Sequence, residues 1–257
     1  MAARIVTFVN QKGGVGKTTT AVNVAAALGR RGQRVLLIDL DPQANATSAS
    51  GVDGSAREGI YEMLIDEVDP PTCVVDVEGE HFRLVPASPA LAGAEVELVP
   101  VLARERRLSN ALAALRPSYD WILIDCPPSL GLLTINALTA ATNVVIPVQC
   151  EYMALEGLSR LMDTLELVRR NLNPNLTLLG VVLTMFDPRT RLAAQVVEEV
   201  RSHFKETAFA TVIPRAVRLS EAPSHGQSIF RYEPGGRSAT AYDALAGELQ
   251  ARDGVAV

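Results

Sequence analysis

Five short apolar runs punctuate the chain: Ile5-Val6-Thr7-Phe8-Val9, Val35-Leu36-Leu37-Ile38-Asp39, Trp121-Ile122-Leu123-Ile124-Asp125, Val144-Val145-Ile146-Pro147-Val148 and Leu178-Leu179-Gly180-Val181-Val182-Leu183-Thr184. None alternates apolar with polar residues, so each is expected to be a strand covered on both faces. Between them lie stretches of helical length or period; Thr19 to about Arg31 carries Val22, Val24, Ala25, Ala26 and Leu28. Strands alternating with helices predict an α/β fold: a doubly wound, mostly parallel sheet with helices on both faces. Val74-Val75-Asp76-Val77 and Phe82-Arg83-Leu84-Val85 add short strands, while 51–57 and 86–93 read as surface loops. From Ser238 to Val257, Tyr242, Leu245 and Leu249 share one face of a packing helix.

Sheets of this kind bind ligands beyond the carboxyl ends of their strands. Gln11, Asp39, Asp125 and Thr184 all fall at such ends. The first end is the most informative, because Lys12-Gly13-Gly14-Val15-Gly16-Lys17-Thr18 turns a strand into a helix. Backbone N–H groups of such a turn converge on phosphate oxygens and the helix aims its positive end at them. Lys17 then reaches the β/γ-phosphates, and the Thr18 hydroxyl is placed to ligate Mg²⁺. A chance Gly/Lys turn would lack the flanking strand and helix. The chain is expected to bind a nucleoside triphosphate. The usual first glycine of this loop would fall at Gln11, and the chain instead carries a second lysine, Lys12.

Three acids stand opposite. Asp125, at a strand end before Cys126-Pro127-Pro128-Ser129, fits a carboxylate that holds Mg²⁺. Asp39 and Asp41, two residues apart in an extended segment, point the same way; Asp39 suits the metal shell and Asp41 the orientation of an attacking water. An Asp-Pro turn at Asp41-Pro42 is the plainer reading of that segment. Lys12 is surplus to its own loop, since Lys17 already serves the phosphates. Across an interface it would neutralise charge developing on a second nucleotide, and otherwise it is a solvated lysine.

Composition sets the bounds. With 257 residues and 48% hydrophobic content, residues 1–257 are expected to form a single domain, with no room for an N-terminal helix-turn-helix. Cys73, Cys126 and Cys150 form no C-x-x-C pair, which argues against zinc, redox or cluster chemistry and favours a reduced cytosolic setting. No apolar run is long enough to cross a bilayer, and a soluble cytoplasmic protein is expected. A net charge of −5 disfavours nucleic acid at long range, but local patches decide. Arg189, Arg191, Arg215 and Arg218 follow late strands, in loops, and suit phosphate contacts without base preference. Asp187 and Glu221 are at hand to pair with them instead.

These motifs resemble the ParA/Soj chromosome- and plasmid-partitioning ATPases, of the deviant Walker A group of P-loop NTPases. The likeness spans nearly the whole chain: Asn10 to Thr20, Asp39-Leu40-Asp41-Pro42-Gln43-Ala44-Asn45, Asp125 to Ser129, Ala154-Leu155-Glu156-Gly157, and Arg218-Leu219-Ser220-Glu221-Ala222-Pro223-Ser224. It implies ATP and Mg²⁺ as cofactors, and a nucleotide-holding set of Lys12, Gly13, Gly14, Val15, Gly16, Lys17, Thr18 and Thr19. Thr18, Asp39 and Asp125 would hold the metal, and Lys12 and Asp41 would act in catalysis. It also implies an ATP-bound homodimer in which Lys12 crosses to the partner's nucleotide, and adenine held near Met185, Pro214 and Arg215. Further implications are double-stranded DNA bound through Arg189, Arg215 and Arg218, hydrolysis stimulated by a ParB-type centromere-binding protein, and a nucleoid-associated location.

Three other readings share the loop. A MinD-like ATPase anchors through a basic amphipathic C-terminal helix, but here Asp243, Glu248 and Asp253 outnumber Arg252, so no membrane partner is expected. An iron–sulfur carrier needs adjacent bridging cysteines. A dethiobiotin-synthetase-like ligase needs a small-molecule pocket beside the γ-phosphate.

Overall fold

A computed structural model describes residues 3–151 and 156–253; Ala154 and Leu155 of the fourth motif, and residues 254–257, lie outside the described residues. Eight strands, β1 (Arg4–Phe8), β2 (Val35–Asp39), β3 (Val75–Asp76), β4 (Arg83–Val85), β5 (Trp121–Asp125), β6 (Asn143–Gln149), β7 (Thr177–Phe186) and β8 (Ala208–Pro214), form one sheet. Their order is β3-β4-β2-β5-β1-β6-β7-β8. Among the described residues only β3 runs antiparallel to its neighbour; every other pair is parallel.

Apolar runs without alternation arise because both faces are covered. Leu36, Ile38, Ile122 and Ile124 point into one core, while Val35, Leu37, Trp121 and Leu123 point into the other. The second core holds the helix Lys17–Arg30 and the C-terminal helix Arg237–Asp253, whose Tyr242, Leu245 and Leu249 are buried against it. Tyr242 Oη lies 3.4 Å from Thr20 Oγ1, and Arg31 pairs with Asp243 at 2.9 Å. The Arg252 guanidinium donates to the carbonyls of Leu179, Glu206, Thr207 and Ala208, tying the end of that helix to β7 and the entry to β8.

Two elements depart from the sequence reading. β8 escapes a search for apolar runs because it is an edge strand whose middle is partly exposed, with Ala210 and Thr211 in place of branched apolar residues. The segment 86–93 is a surface loop only over 88–90: Pro86 and Ala87 are buried at the end of β4, and a helix begins at Leu91. The stretch 51–57 is exposed or half-buried throughout, with one 3₁₀ turn at Gly54–Ala56.

Candidate functional site

The sheet places β1 between β5 and β6, so the chain winds outward from β1 in both directions and leaves a crevice at its carboxyl end. The glycine-rich turn fills that crevice. Gly14 and Gly16 take φ of +73° and +83°, where any side chain would be strained. Gly16 precedes the helix Lys17–Arg30, and no side chain caps it, which leaves its first amides open to an anion. Three bonds brace the turn from behind: Thr184 Oγ1 donates to the Val15 carbonyl at 2.8 Å, and Asn10 donates to the Pro147 carbonyl at 2.7 Å while accepting from the Lys12 amide.

Lys17 is only 7% exposed, with Nζ 3.5 Å from the Lys12 carbonyl. Burial lowers its pKa, opposed by the neighbouring carboxylates of Asp125 and Asp41. Lys12 stands exposed at the mouth of the turn.

Asp39 and Asp125 are register partners at the ends of β2 and β5, and both are wholly buried. Their environments differ. Asp39 Oδ2 accepts from the Thr47 amide and hydroxyl, each at 2.7 Å, and Oδ1 accepts from the Asp41 amide at 3.2 Å. Burial still lifts its pKa to about 6. Among the described residues neither oxygen of Asp125 has a well-formed hydrogen bond, although the Thr18 hydroxyl is close enough to favour its charged form. Burial, then the Asp39 charge, pushes the Asp125 carboxyl well above the carboxylate range, with the Thr18 hydroxyl and Lys17 ammonium pulling the other way. Two unsatisfied carboxylate oxygens beside a hydroxyl and an ammonium are a hard-oxygen donor set that suits Mg²⁺.

Asp41 lies 6% exposed and lines the cleft, its Oδ1 accepting from the Gln43 amide at 2.9 Å. The turn at Asp41-Pro42 therefore exists, and it presents the acid to the cleft rather than occupying it fully. That cleft measures about 550 Å³, with Gly13, Lys17, Thr18 and Thr19 on one side and Pro223 and Ser224 on another. A smaller cavity of about 240 Å³ adjoins it across Gly16, Thr19 and Met185, and Pro214 and Arg215 line its far side. Met185 takes φ of +54° at this junction, a conformation rare outside glycine and concentrated at functional sites.

The three arginines predicted to meet DNA are exposed and each faces a carboxylate. Arg189 pairs with Asp187 at 2.7 Å, holding that acid at about 2, and Arg215 reaches Glu151 at 3.8 Å. Arg218 pairs with Glu221 at 2.9 Å and lies 5.8 Å from the Tyr232 ring centre. It stands on the helix Val217–Glu221, and Arg191 opens the helix Arg191–Phe204, so neither lies in a loop as the sequence suggested. Exposed pairs of this kind are held weakly in water and do not prevent exchange for a phosphate.

Thr47 is the residue that sequence reasoning missed. Its helix, Asn45–Ala49, is too short to show a period, and only the fold reveals that it meets Asp39. Cys126, whose burial lifts its thiol to about 12, sits 3.0 Å from the Thr7 hydroxyl as an inert part of the core.

A parallel sheet, an uncapped helix behind a Gly-rich turn and a buried strand-end aspartate define a P-loop nucleotide-binding protein, with Lys12 marking the deviant form of the loop. The family described as AAA domain matches residues 3–178. The chain is 54% identical over 249 residues to the sporulation initiation inhibitor protein Soj of Bacillus subtilis, covering 96% of this chain and 98% of that one. It is 52% identical over 251 residues to the chromosome partitioning protein ParA of Myxococcus xanthus, covering 97% and 89%. Among solved structures, a Borrelia burgdorferi plasmid partition protein bound to AMPPNP superposes with a TM-score of 0.83 at 26% identity, covering 97% and 99%. A Mycobacterium smegmatis structure described as cobyrinic acid a,c-diamide synthase, with an ATP analogue and magnesium, gives 0.86 at 39% identity, covering 95% and 93%. The chain belongs to the Soj/ParA family of chromosome-partitioning ATPases.

Proposed function

We propose that this chain is an ATP-driven partition switch: Mg-ATP joins two copies, the pair binds double-stranded DNA without base preference, and hydrolysis releases it. The observation that carries the reading is the pairing of an open, uncapped turn at Gly16-Lys17-Thr18 with the unsatisfied, buried carboxylate of Asp125. Lys17 binds the β/γ-phosphates. Thr18 and Asp125 would hold Mg²⁺, with Asp39 behind them, and the ion bound there would supply neutralisation of phosphate charge. Asp41 positions water over the cleft, and Lys12 projects toward the nucleotide of a second copy. The 240 Å³ cavity at Met185, Pro214 and Arg215 takes the base. Arg189, Arg215 and Arg218 supply phosphate contacts, and a ParB-type protein that binds the centromere stimulates turnover.

Apparent size and DNA retention, measured without nucleotide, with ADP and with ATP, test this reading. Only ATP is expected to give a species of twice the mass that retains unrelated duplexes. ATP without either effect would overturn it.

The M. smegmatis relative raises a second reading, an ATP-dependent amide-forming synthase. Identity of 54% to the Soj protein against 39% to that structure favours partition. A metabolite screen that raises ATP turnover more than DNA plus partner would reverse the order.

A further inference from the structure

The proposed hydrolysis needs Asp39 and Asp41 at fixed positions, and one buried hydroxyl ties their loop to the end of β4, beside the backbone bonds from the Leu40 amide to the Asp125 carbonyl and from the Thr47 amide to Asp39. Thr47 Oγ1 donates to Asp39 Oδ2 at 2.7 Å and accepts from the Ala87 amide at 2.9 Å. Thr47, Asp39 and Ala87 are each no more than 1% exposed, so water does not compete for either bond. A hydroxyl has one proton to give. With an N–H already directed at its oxygen, that proton is committed to Asp39, and the Thr47 side chain cannot change rotamer without stranding the Ala87 amide.

The consequence reaches Asp41. The Asp39 carboxylate holds Thr47 with one oxygen and the Asp41 amide with the other. Its two ends therefore clamp the loop 40–46 into a closed ring anchored through Ala87 to the end of β4. Nearby backbone leaves little slack: a side chain at Gly54 would meet the Ala87 carbonyl at 2.0 Å and Thr47 Cγ2 at 3.2 Å. From this geometry we infer that Thr47 is a positioning residue for ATP hydrolysis, setting the placement of Asp41 through the Asp39 carboxylate without touching the nucleotide. Thr47 does not line the cleft, so its removal should leave ATP binding in place. A displacement of about 1 Å at a group that orients a reactant costs on the order of 10²-fold in rate.

The inference rests on the hydrolysis reading, and the test keeps the two apart. In the full chain, Thr47→Val keeps the shape and loses the hydroxyl, Thr47→Ser keeps the hydroxyl, and Thr47→Cys keeps the volume with a weak S–H donor. Mg-ATP affinity is measured by calorimetric titration and kcat by phosphate release. Valine is expected to lower kcat at least ten-fold with ATP affinity within about three-fold of the parent, serine to restore kcat to within about three-fold, and cysteine to fall between. If valine does not fold, cysteine against serine must show the same split. Parental kcat in the valine or cysteine variant, or loss of ATP affinity as large as the loss of kcat, would overturn the positioning role. A parent that binds ATP and never releases phosphate would overturn the hydrolysis reading and this inference with it.

Discussion

Asp39 and Asp125 stand as register partners on adjacent strands, wholly buried, one with every oxygen engaged and the other with none. Two acids so close in a core are a liability that a cation removes. Asp125→Asn is therefore expected to stabilise the nucleotide-free protein by about 1–3 kcal/mol, since relief of desolvation and of repulsion by Asp39 outweighs the lost attraction of Lys17. For a chain of this size that is a rise in Tm of roughly 2–4 °C per kcal/mol. The same variant should lose the extra stabilisation that Mg-ATP gives the parent. Differential scanning fluorimetry with and without Mg-ATP reads both effects, and a lower Tm in the free variant would count against the account of the pair.

The pair also predicts a pH dependence. Asp39 titrates at about 6 in the folded chain against 3.8 as an ordinary carboxyl, and Asp125 shifts in the same direction. A proton held more tightly folded than unfolded supports the fold below the unfolded value, and that support fades as pH rises through the folded one. The Tm advantage of Asp125→Asn over the parent should accordingly be small near pH 4.5 and grow toward pH 7. Taking the difference cancels groups shifted downward, such as Asp187 and Asp120, whose contributions run the opposite way. A constant or shrinking difference would contradict it.

Lys17→Ala removes the buried ammonium at the foot of the turn. ATP affinity should fall on the order of 10²-fold, as expected when a charge-assisted hydrogen bond to phosphate is removed. Unchanged affinity in a calorimetric titration would remove Lys17 from the phosphate site.

Lys12 and Asp41 are expected to separate by their effects on assembly. Asp41→Ala should trap an ATP-bound pair with turnover lowered on the order of 10²-fold. Lys12→Ala should lose turnover and weaken the pair, if its exposed side chain reaches the other copy's nucleotide as proposed. Light scattering alongside phosphate release distinguishes them, and parental turnover in Asp41→Ala would mean another group orients the water.

Arg218→Ala should weaken binding to two unrelated duplexes equally and leave the ATP-bound pair intact, because a phosphate contact carries no base readout. The log–log salt slope should drop by about 0.9 for each phosphate no longer neutralised. Full affinity would leave Arg218 as the surface partner of Glu221 that the structure already gives it.

The phosphate turn, β1, β2 and β5 were legible because local chemistry dictates them: glycines at positive φ and unbroken apolar runs need no tertiary context. β8 was not, since an edge strand with polar neighbours shows no such run, and neither was Thr47, whose partner is eight residues away in sequence and joined only by the fold. Met185, Pro214 and Arg215 were placed through family likeness, and the structure sets all three around one cavity. For Arg189 and Arg218 the sequence offered two partners each, and the structure fills the carboxylate choice, at Asp187 and Glu221.

The packing of the helix Arg237–Asp253 on the helix Lys17–Arg30 bears on how the molecule is made. The helix launched by the phosphate turn has an apolar flank that the helix Arg237–Asp253, far along the chain, helps to cover, and β1 lies between strands that follow it by more than a hundred residues. Contacts so distant along the chain form late. The nucleotide loop therefore gains the support that shapes it only when segments distant in sequence have folded onto β1 and its helix, and competence for ATP arrives late in folding. A chain ended at residue 236 is expected to bind ATP no better than the Lys17→Ala variant, and parental affinity in that truncation would refute the dependence. In such a protein, the ability to hold nucleotide doubles as a mark that the distant segments have folded into place.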